Sequence, residues 1–223
     1  DDGDVADESG GSGTDIVFAT ISFDLADGAH AKGSIENLAL LGTGGLEALG
    51  NALANILVGN AGANLLDGRA GADTLRGLAG NDRYVVDHAW DVVDESAAGS
   101  GGVDTVSASV DFDLREGGQV RGAVENLTLS GKASIDGTGN ALANEITGNR
   151  GSNLLAGGLG QDVLEGGRGK DSFVFDSPLV SKAAAAETRD KILDFVHQDD
   201  RIVLSAAAFT LLDAGKLAAG DFA

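Results

Sequence analysis

Eight side-chain oxygens recur at a fixed interval. Asn55, Asn64, Asp73 and Asp82, and later Asn144, Asn153, Asp162 and Asp171, follow one another every nine residues. Each stands five positions after a glycine: Gly50, Gly59, Gly68 and Gly77 in the first array, Gly139, Gly148, Gly157 and Gly166 in the second. Two positions beyond each oxygen comes a large apolar residue, in order Leu57, Leu66, Leu75, Tyr84, Ile146, Leu155, Leu164 and Phe173. Oxygens on a regular rail beside glycine-rich bends suit a hard cation, which is held by carboxylates and carbonyls. A sequence period this short points to a solenoid built around metal.

The small repeat lies inside a larger one. Shifting the chain by 89 residues aligns Asp15 to Asp87 with Asp104 to Asp176 without a gap, and 34 of the 73 pairs are identical. FDL (Phe23 to Leu25, Phe112 to Leu114), ENL (Glu36 to Leu38, Glu125 to Leu127) and GNALAN (Gly50 to Asn55, Gly139 to Asn144) are among the matches. Residues 1–177 therefore read as tandem duplicated units, 15–87 and 104–176, with a partial unit at the start.

Within this frame the pattern GGxGxDxUx, with U a large apolar residue, is met at every fixed position by Gly10 to Phe18 (GGSGTDIVF), Gly157 to Glu165 (GGLGQDVLE) and Gly166 to Val174 (GGRGKDSFV). This resembles the calcium-binding repeat of the RTX (repeats-in-toxin, hemolysin-type) proteins. The resemblance implies an all-β fold, a calcium-stabilised parallel β-roll with a small C-terminal cap. It also implies that several calcium ions sit between stacked loops and take a sixth-position oxygen from each.

The residue types fit that chemistry. Calcium takes about six to eight oxygen ligands. A six-residue bend can aim alternate carbonyls inward only where its backbone is left-handed or crowded, which glycine tolerates. The other three residues form a short strand whose U side chain points into the core. Two nonapeptides make one coil, so Asn55, Asp73 and Asp91 share one rail. Asn64, Asp82 and, after a four-residue insertion, Asp104 in GSGGVDTVS (Gly99 to Ser107) share the opposite rail. Asn144 then stacks with Asp162, and Asn153 with Asp171.

The metal-ligating set expected on this reading is Asp15, Asn64, Asp73, Asp82, Asp91, Asp104, Asn153, Asp162 and Asp171, with the loop glycines Gly71, Gly80, Gly160 and Gly169. Asn replaces Asp in the first two repeats of each array, and Leu53 and Leu142 replace the fourth glycine. An amide brings no charge and a bulky residue is expected to crowd the carbonyl nest, so the Asn55 and Asn144 loops are read as empty or weak. Arg69 and Leu78 displace second-position glycines, which makes the second array the tighter binder.

Composition narrows the setting. Lys plus Arg is 15 against 35 Asp plus Glu, a formal charge of −20, which excludes a nucleic-acid backbone as partner and makes calcium the natural counterion. Thirty-five glycines and ten aromatic residues leave a thin conventional core, so metal binding has to contribute folding free energy. There is no cysteine, hence no disulfide framework, and no apolar run long enough to span a bilayer. The chain has no Met, and DVADE (Asp4 to Glu8) resembles DVVDE (Asp91 to Glu95), so it reads as a piece of a longer protein.

Short β-branched and apolar runs between the arrays are expected to continue the solenoid as irregular rungs, with an inserted hairpin as the alternative. Beyond Ser177 the rhythm stops. Pro178 and Ala183 to Ala186 read as linker or short helix, and the tail from Ala206 as helical turns. RDKILDFVHQDDRIVLS (Arg189 to Ser205) resembles the segment after the last repeat of secreted RTX enzymes, and two strands there should close the roll. Asp190 and Asp194 are either a terminal ion site or a solvated pair.

Catalytic signatures are lacking: His30, His88 and His197 form no HExxH pair and no GxSxG elbow occurs. Glu36, Glu125, Asp24 and Asp113 recur in both units and are read as holding rungs together, and Trp90 as a packing residue. Two functions remain. One is a calcium-responsive folding module of a secreted protein. The resemblance then implies a Gram-negative bacterial, extracellular setting, type I secretion machinery and a covalently linked catalytic or adhesive domain. The other is a surface-layer, adhesin or carbohydrate-active solenoid whose own face does the work.

Overall fold

The computed structural model describes residues 4–177, 189–205 and 208. Those residues form a parallel β-solenoid without helix, its strands numbered β1 to β22 in chain order. One face is a nine-stranded sheet: β3 (Phe23–Asp24), β6 (Glu47–Leu49), β8 (Leu65–Asp67), β10 (Arg83–Val86), β12 (Thr105–Ala108), β15 (Asn126–Leu129), β17 (Glu145–Thr147), β19 (Val163–Glu165) and β21 (Lys191–Ile192). The other face is divided. Its first part has six strands, β2 (Ile16–Ala19), β5 (Asn37–Leu40), β7 (Ile56–Val58), β9 (Thr74–Arg76), β11 (Val92–Glu95) and β14 (Val120–Gly122). Its second has five, β13 (Phe112–Asp113), β16 (Gly137–Thr138), β18 (Leu154–Ala156), β20 (Ser172–Phe175) and β22 (Arg201–Leu204).

Side-chain alternation explains the core. In each three-residue strand the middle residue faces inward and its neighbours face out. Leu57, Leu66, Leu75, Tyr84, Ile146, Leu155, Leu164 and Phe173, the eight U residues, are all fully buried and join one hydrophobic cluster. Register follows: Leu57 pairs with Leu75, Leu66 with Tyr84, Ile146 with Leu164 and Leu155 with Phe173.

The inter-array runs continue the solenoid, and one coil in each unit carries an extra strand. Between β12 and β15 the chain makes β13 and β14, which join the five- and six-stranded sheets respectively. The same arrangement occurs near the start, where β4 (Ala31–Gly33) pairs with β1 (Ala6–Glu8). Ala6 opposite Ala31 there matches Val93 opposite Val120 later. The extra strand puts the two units out of step with the faces. Thus β2, β5, β7 and β9 lie in the six-stranded sheet, while their counterparts β12, β15, β17 and β19 lie in the nine-stranded one.

The far end is covered by the two strands expected there, β21 against β19 and β22 against β20, with Phe195 beside Phe173. Pro178 and Ala183 to Ala186 lie outside the described residues, as does nearly all of the tail. Trp90 does not pack: it is 75% exposed on the loop after β10, its ring touching only His88 edge-on among the aromatic rings of the described residues. No helix of the described residues is long and apolar enough to cross a membrane.

Candidate metal centre

Sixth-position residues are tied into ladders along the edges of the solenoid. The Asn55 backbone N–H donates to Asp73 Oδ1 at 2.7 Å, and that of Asp73 donates to Asp91 Oδ1 at 3.0 Å. Before the nine-stranded sheet the ladder runs through both units. Asn64 donates to Asp82 (2.7 Å), Asp82 to Asp104 (2.8 Å) and Asp104 to Glu125 Oε2 (2.8 Å). It resumes as Asn144 donates to Asp162 (2.8 Å) and Asp162 to Asp190 (3.1 Å). The third ladder joins Asn153 to Asp171 and Asp171 to Asp200, each at 2.9 Å. Parallel pairing in constant register makes this possible, because each loop starts its strand at the same height as the one before.

Two kinds of loop make up these ladders. In the Asn loops the second residue is also Asn. The N–H groups of Asn51, Asn60, Asn140 and Asn149 donate to the Oδ1 of Asn55, Asn64, Asn144 and Asn153. The four sixth-position amides then donate to backbone carbonyls of the preceding coil: Glu36 (3.0 Å), Leu46 (3.3 Å), Glu125 (2.9 Å) and Ile135 (2.6 Å). Every Asn is satisfied by protein groups, and Asn64 and Asn153 are bonded in the same manner as Asn55 and Asn144.

The Asp loops turn the other way. Their second residues are left-handed, Arg69 (φ 60°), Leu78 (φ 74°), Gly158 (φ 94°) and Gly167 (φ 85°), and so are Gly71, Gly80, Gly160 and Gly169. The Arg69 N–H consequently bonds Asp67 Oδ1 instead of Asp73, and that of Gly167 bonds Asp194 Oδ2. A Cβ at Gly71, Gly80, Gly160 or Gly169 would overlap the carbonyl of Leu53, Gly62, Leu142 or Gly151 respectively. Leu53 and Leu142 have their side chains at the surface, so their bulk is turned away from the nest.

Asp73, Asp82 and Asp162 are buried, and the Oδ2 of each has no hydrogen-bond partner. Leaving a buried carboxylate oxygen unpaired is costly, and the group responds by favouring its neutral form. Burial pushes the Asp73 carboxyl up to about 7, with Asp91 and Asp87 adding repulsion. Asp82, Asp104 and Asp162 are pushed up to about 6, again mainly by burial. Asp171 is raised for the same reason. A divalent cation fits these oxygens: it would replace the proton and complete their coordination. Among the described residues no three His, Cys, Asp or Glu side chains converge as a metal cluster, so backbone carbonyls must supply much of the ligand shell.

Other residues of the expected set behave differently. Asp91 is buried, but its Oδ2 accepts the N–H groups of Asp87 (3.2 Å) and His88 (3.0 Å), so both oxygens are engaged. Asp15 donates its N–H to Glu36 Oε2. The recurrent Glu36 and Glu125 thus hold rungs, and Asp24 and Asp113 pair with Arg69 and Arg115. Asp190 accepts from Asp162, and Asp194 from Gly166 and Gly167, which ties the cap to the last loops. The second-position Asn residues and Glu95 were missed from sequence. The GNxxxN spacing was a signal for the former, since an Asn that displaces a loop glycine brings its own hydrogen bonds.

Comparison with curated proteins finds no match to the chain. A family model, that of the RTX calcium-binding nonapeptide repeat (4 copies), matches residues 49–84 and 138–173, the two arrays whose loops carry these ladders. Two blocks of this β-solenoid are therefore RTX calcium-binding nonapeptide repeats.

Proposed function

We propose that this chain is a folding and stability module of a larger type I secreted protein, which winds into its solenoid when it meets calcium outside a Gram-negative cell. The observation that supports this reading most is the set of buried, unpartnered Oδ2 atoms of Asp73, Asp82 and Asp162. On this reading Asp73, Asp82, Asp162 and Asp171 supply the carboxylate oxygens, while Gly71, Gly80, Gly160 and Gly169 let facing carbonyls approach. Asn64 and Asn153 contribute structure through their amides, and their loops lend backbone oxygens.

Magnitudes agree. Extracellular calcium modules bind with dissociation constants of about 10⁻⁴ to 10⁻³ M. At ten times that concentration each independent site adds roughly 1.4 kcal/mol. Four such sites give about 6 kcal/mol, comparable with the stability of a small domain. Cytosolic calcium is too dilute to act, so the chain stays unwound for export. A calcium titration followed by circular dichroism tests this: the β spectrum should appear cooperatively in the millimolar range and vanish with chelator. A spectrum and melting curve indifferent to chelator would refute the proposal.

A further inference from the structure

Among the described residues Glu95 is the only buried glutamate, 7% exposed at the end of β11. It belongs to no nonapeptide. Register with β9 carries it to Gly77, the first residue of the Asp82 loop. The Gly77 N–H reaches Tyr84 Oη at 2.9 Å and Glu95 Oε1 at 3.3 Å, and the Tyr84 hydroxyl donates to the same Oε1. Tyr84 is the only tyrosine of the chain, and it stands at a U position where the other seven repeats of the arrays have Leu, Ile or Phe. Its hydroxyl fixes one oxygen of Glu95; the other, Oε2, is buried without a hydrogen bond, and the Ser100 hydroxyl, equally buried and unbonded, is the one further protein donor that acts on this carboxyl.

A second orphan lies at the same glycine. A Cβ on Gly77 would overlap both Asp82 Oδ2 and Tyr84 Oη, and Asp82 Oδ2 is also buried without a partner. No ion pair of the described residues engages Asp82 or Glu95, since the nearby Arg76 and Arg121 pair with Asp94. Burial raises the Glu95 carboxyl, and Asp82 repels it further. Two carboxylates brought together in a dry place, each with one oxygen vacant, call for a shared cation.

We propose that Glu95 is a second carboxylate ligand, beside Asp82, for a calcium ion at the end of the first array, with Tyr84 as its positioning residue. The inference rests on the proposed calcium binding of the Asp82 loop and adds a ligand from outside the repeat. Among the described residues the arrangement is not repeated: in the second array Asp194 holds the corresponding place at Gly166, but its two oxygens accept the N–H groups of Gly166 and Gly167, and Phe173 stands where Tyr84 does. A second charged ligand makes the Glu95 site the tighter of the first-array sites, as ligand charge tunes calcium affinity.

Terbium, an oxygen-seeking stand-in for calcium, emits when excited through an aromatic ring close by. In the full chain carrying Trp90→Phe, Tyr84 is the remaining sensitiser of this kind. Saturating terbium should give emission in the tyrosine excitation band that calcium displaces. Glu95→Gln keeps an oxygen for Tyr84 and Gly77 but loses the charge, and should weaken the terbium titration about tenfold. Asp171→Ala in the same background should lower the bound calcium measured by equilibrium dialysis yet keep the emission. No sensitised emission from the Trp90→Phe chain, or an unchanged titration in Glu95→Gln, overturns this inference while calcium binding elsewhere survives. A chain that binds no calcium at all overturns the proposed function with it.

Discussion

The backbone N–H of Asn55 donates to Asp73 Oδ1 across 18 residues, and Asp73 Oδ2, on the far side of the same carboxylate, is buried without a partner. The rung is thus held by one oxygen, and on the proposed reading the other is left for a cation. Asp73→Asn keeps the first role and removes the charge required for the second. It should raise the calcium concentration at half-folding by about tenfold, consistent with ligand charge setting affinity. Circular dichroism during a calcium titration reads this directly, and an unmoved midpoint would show that Asp73 does not meet the ion.

Asp171 and Asn144 stand at the same position of their loops but in different kinds of loop. The amide of Asn144 is spent on the Glu125 carbonyl and Asn140 Oδ1, whereas Asp171 follows two left-handed glycines, Gly167 and Gly169. Asp171→Ala should therefore weaken calcium-induced folding more than Asn144→Ala does. Asn144→Ala instead costs stability at saturating calcium, about 1 to 3 kcal/mol for buried partners left unpaired. Equal shifts of the calcium midpoint in both variants would contradict the division of the loops into two kinds.

The raised carboxyls of Asp73 (about 7) and of Asp82, Asp104 and Asp162 (about 6) make a signed prediction about pH. In the unfolded chain these groups titrate near 3.8, so between about pH 4 and 7 the folded state binds more protons than the unfolded one. The stability of the calcium-free chain must then be greatest at the acid end of that window and fall as pH rises through it. Calcium competes with those protons, so its midpoint should move to higher concentration as pH drops below about 6. With chelator the β signal should be stronger at about pH 4.5 than at about pH 7.5, and a stronger signal at the higher pH would contradict the burial of these groups.

Much of this was legible because one period sets both rails. Nine residues fix which side chain enters the core and which starts the next loop, so the burial of Leu57, Leu75 and Phe173 and the stacking of Asn64 with Asp82 follow from counting. The change of face between the units could not be counted. It depends on β4 and β14 forming as third strands, and Ala31–Gly33 and Val120–Gly122 carry no periodic signal. Asp91 shows a different limit. Its residue type matches Asp73, but its loop, VDHAWD, has no glycine to turn left-handed, so the N–H groups of Asp87 and His88 fold back onto Oδ2. Trp90 was misplaced because large aromatics are usually read as core, whereas here every inward position was already taken by the nine-residue rhythm.

Leu78 and Arg69 offer a test of the loop backbone itself. Both are left-handed, where a side chain costs roughly 1 to 2 kcal/mol, and both stand where the second array has glycine. Arg69 offsets that cost: its guanidinium forks onto Asp24 at 2.8 and 2.7 Å and also reaches the Gly50 carbonyl at 3.0 Å. That pair is partly exposed, so it is worth about 0 to 1 kcal/mol. Leu78 is half-buried and makes no such polar contact, and its carbonyl accepts the Gly101 N–H through backbone atoms that glycine keeps. Leu78→Gly should stabilise the calcium-bound protein by about 0.5 to 1 kcal/mol, after the greater entropy of the unfolded glycine is subtracted. For a chain of this size that is a rise of about 1 to 4 °C in Tm. Arg69→Gly should leave Tm nearly unchanged, because the relief of strain is offset by the lost Asp24 pair. A fall in Tm for Leu78→Gly would mean that the leucine side chain packs well enough to repay its backbone, and that the glycines of the second array are not there for conformation alone.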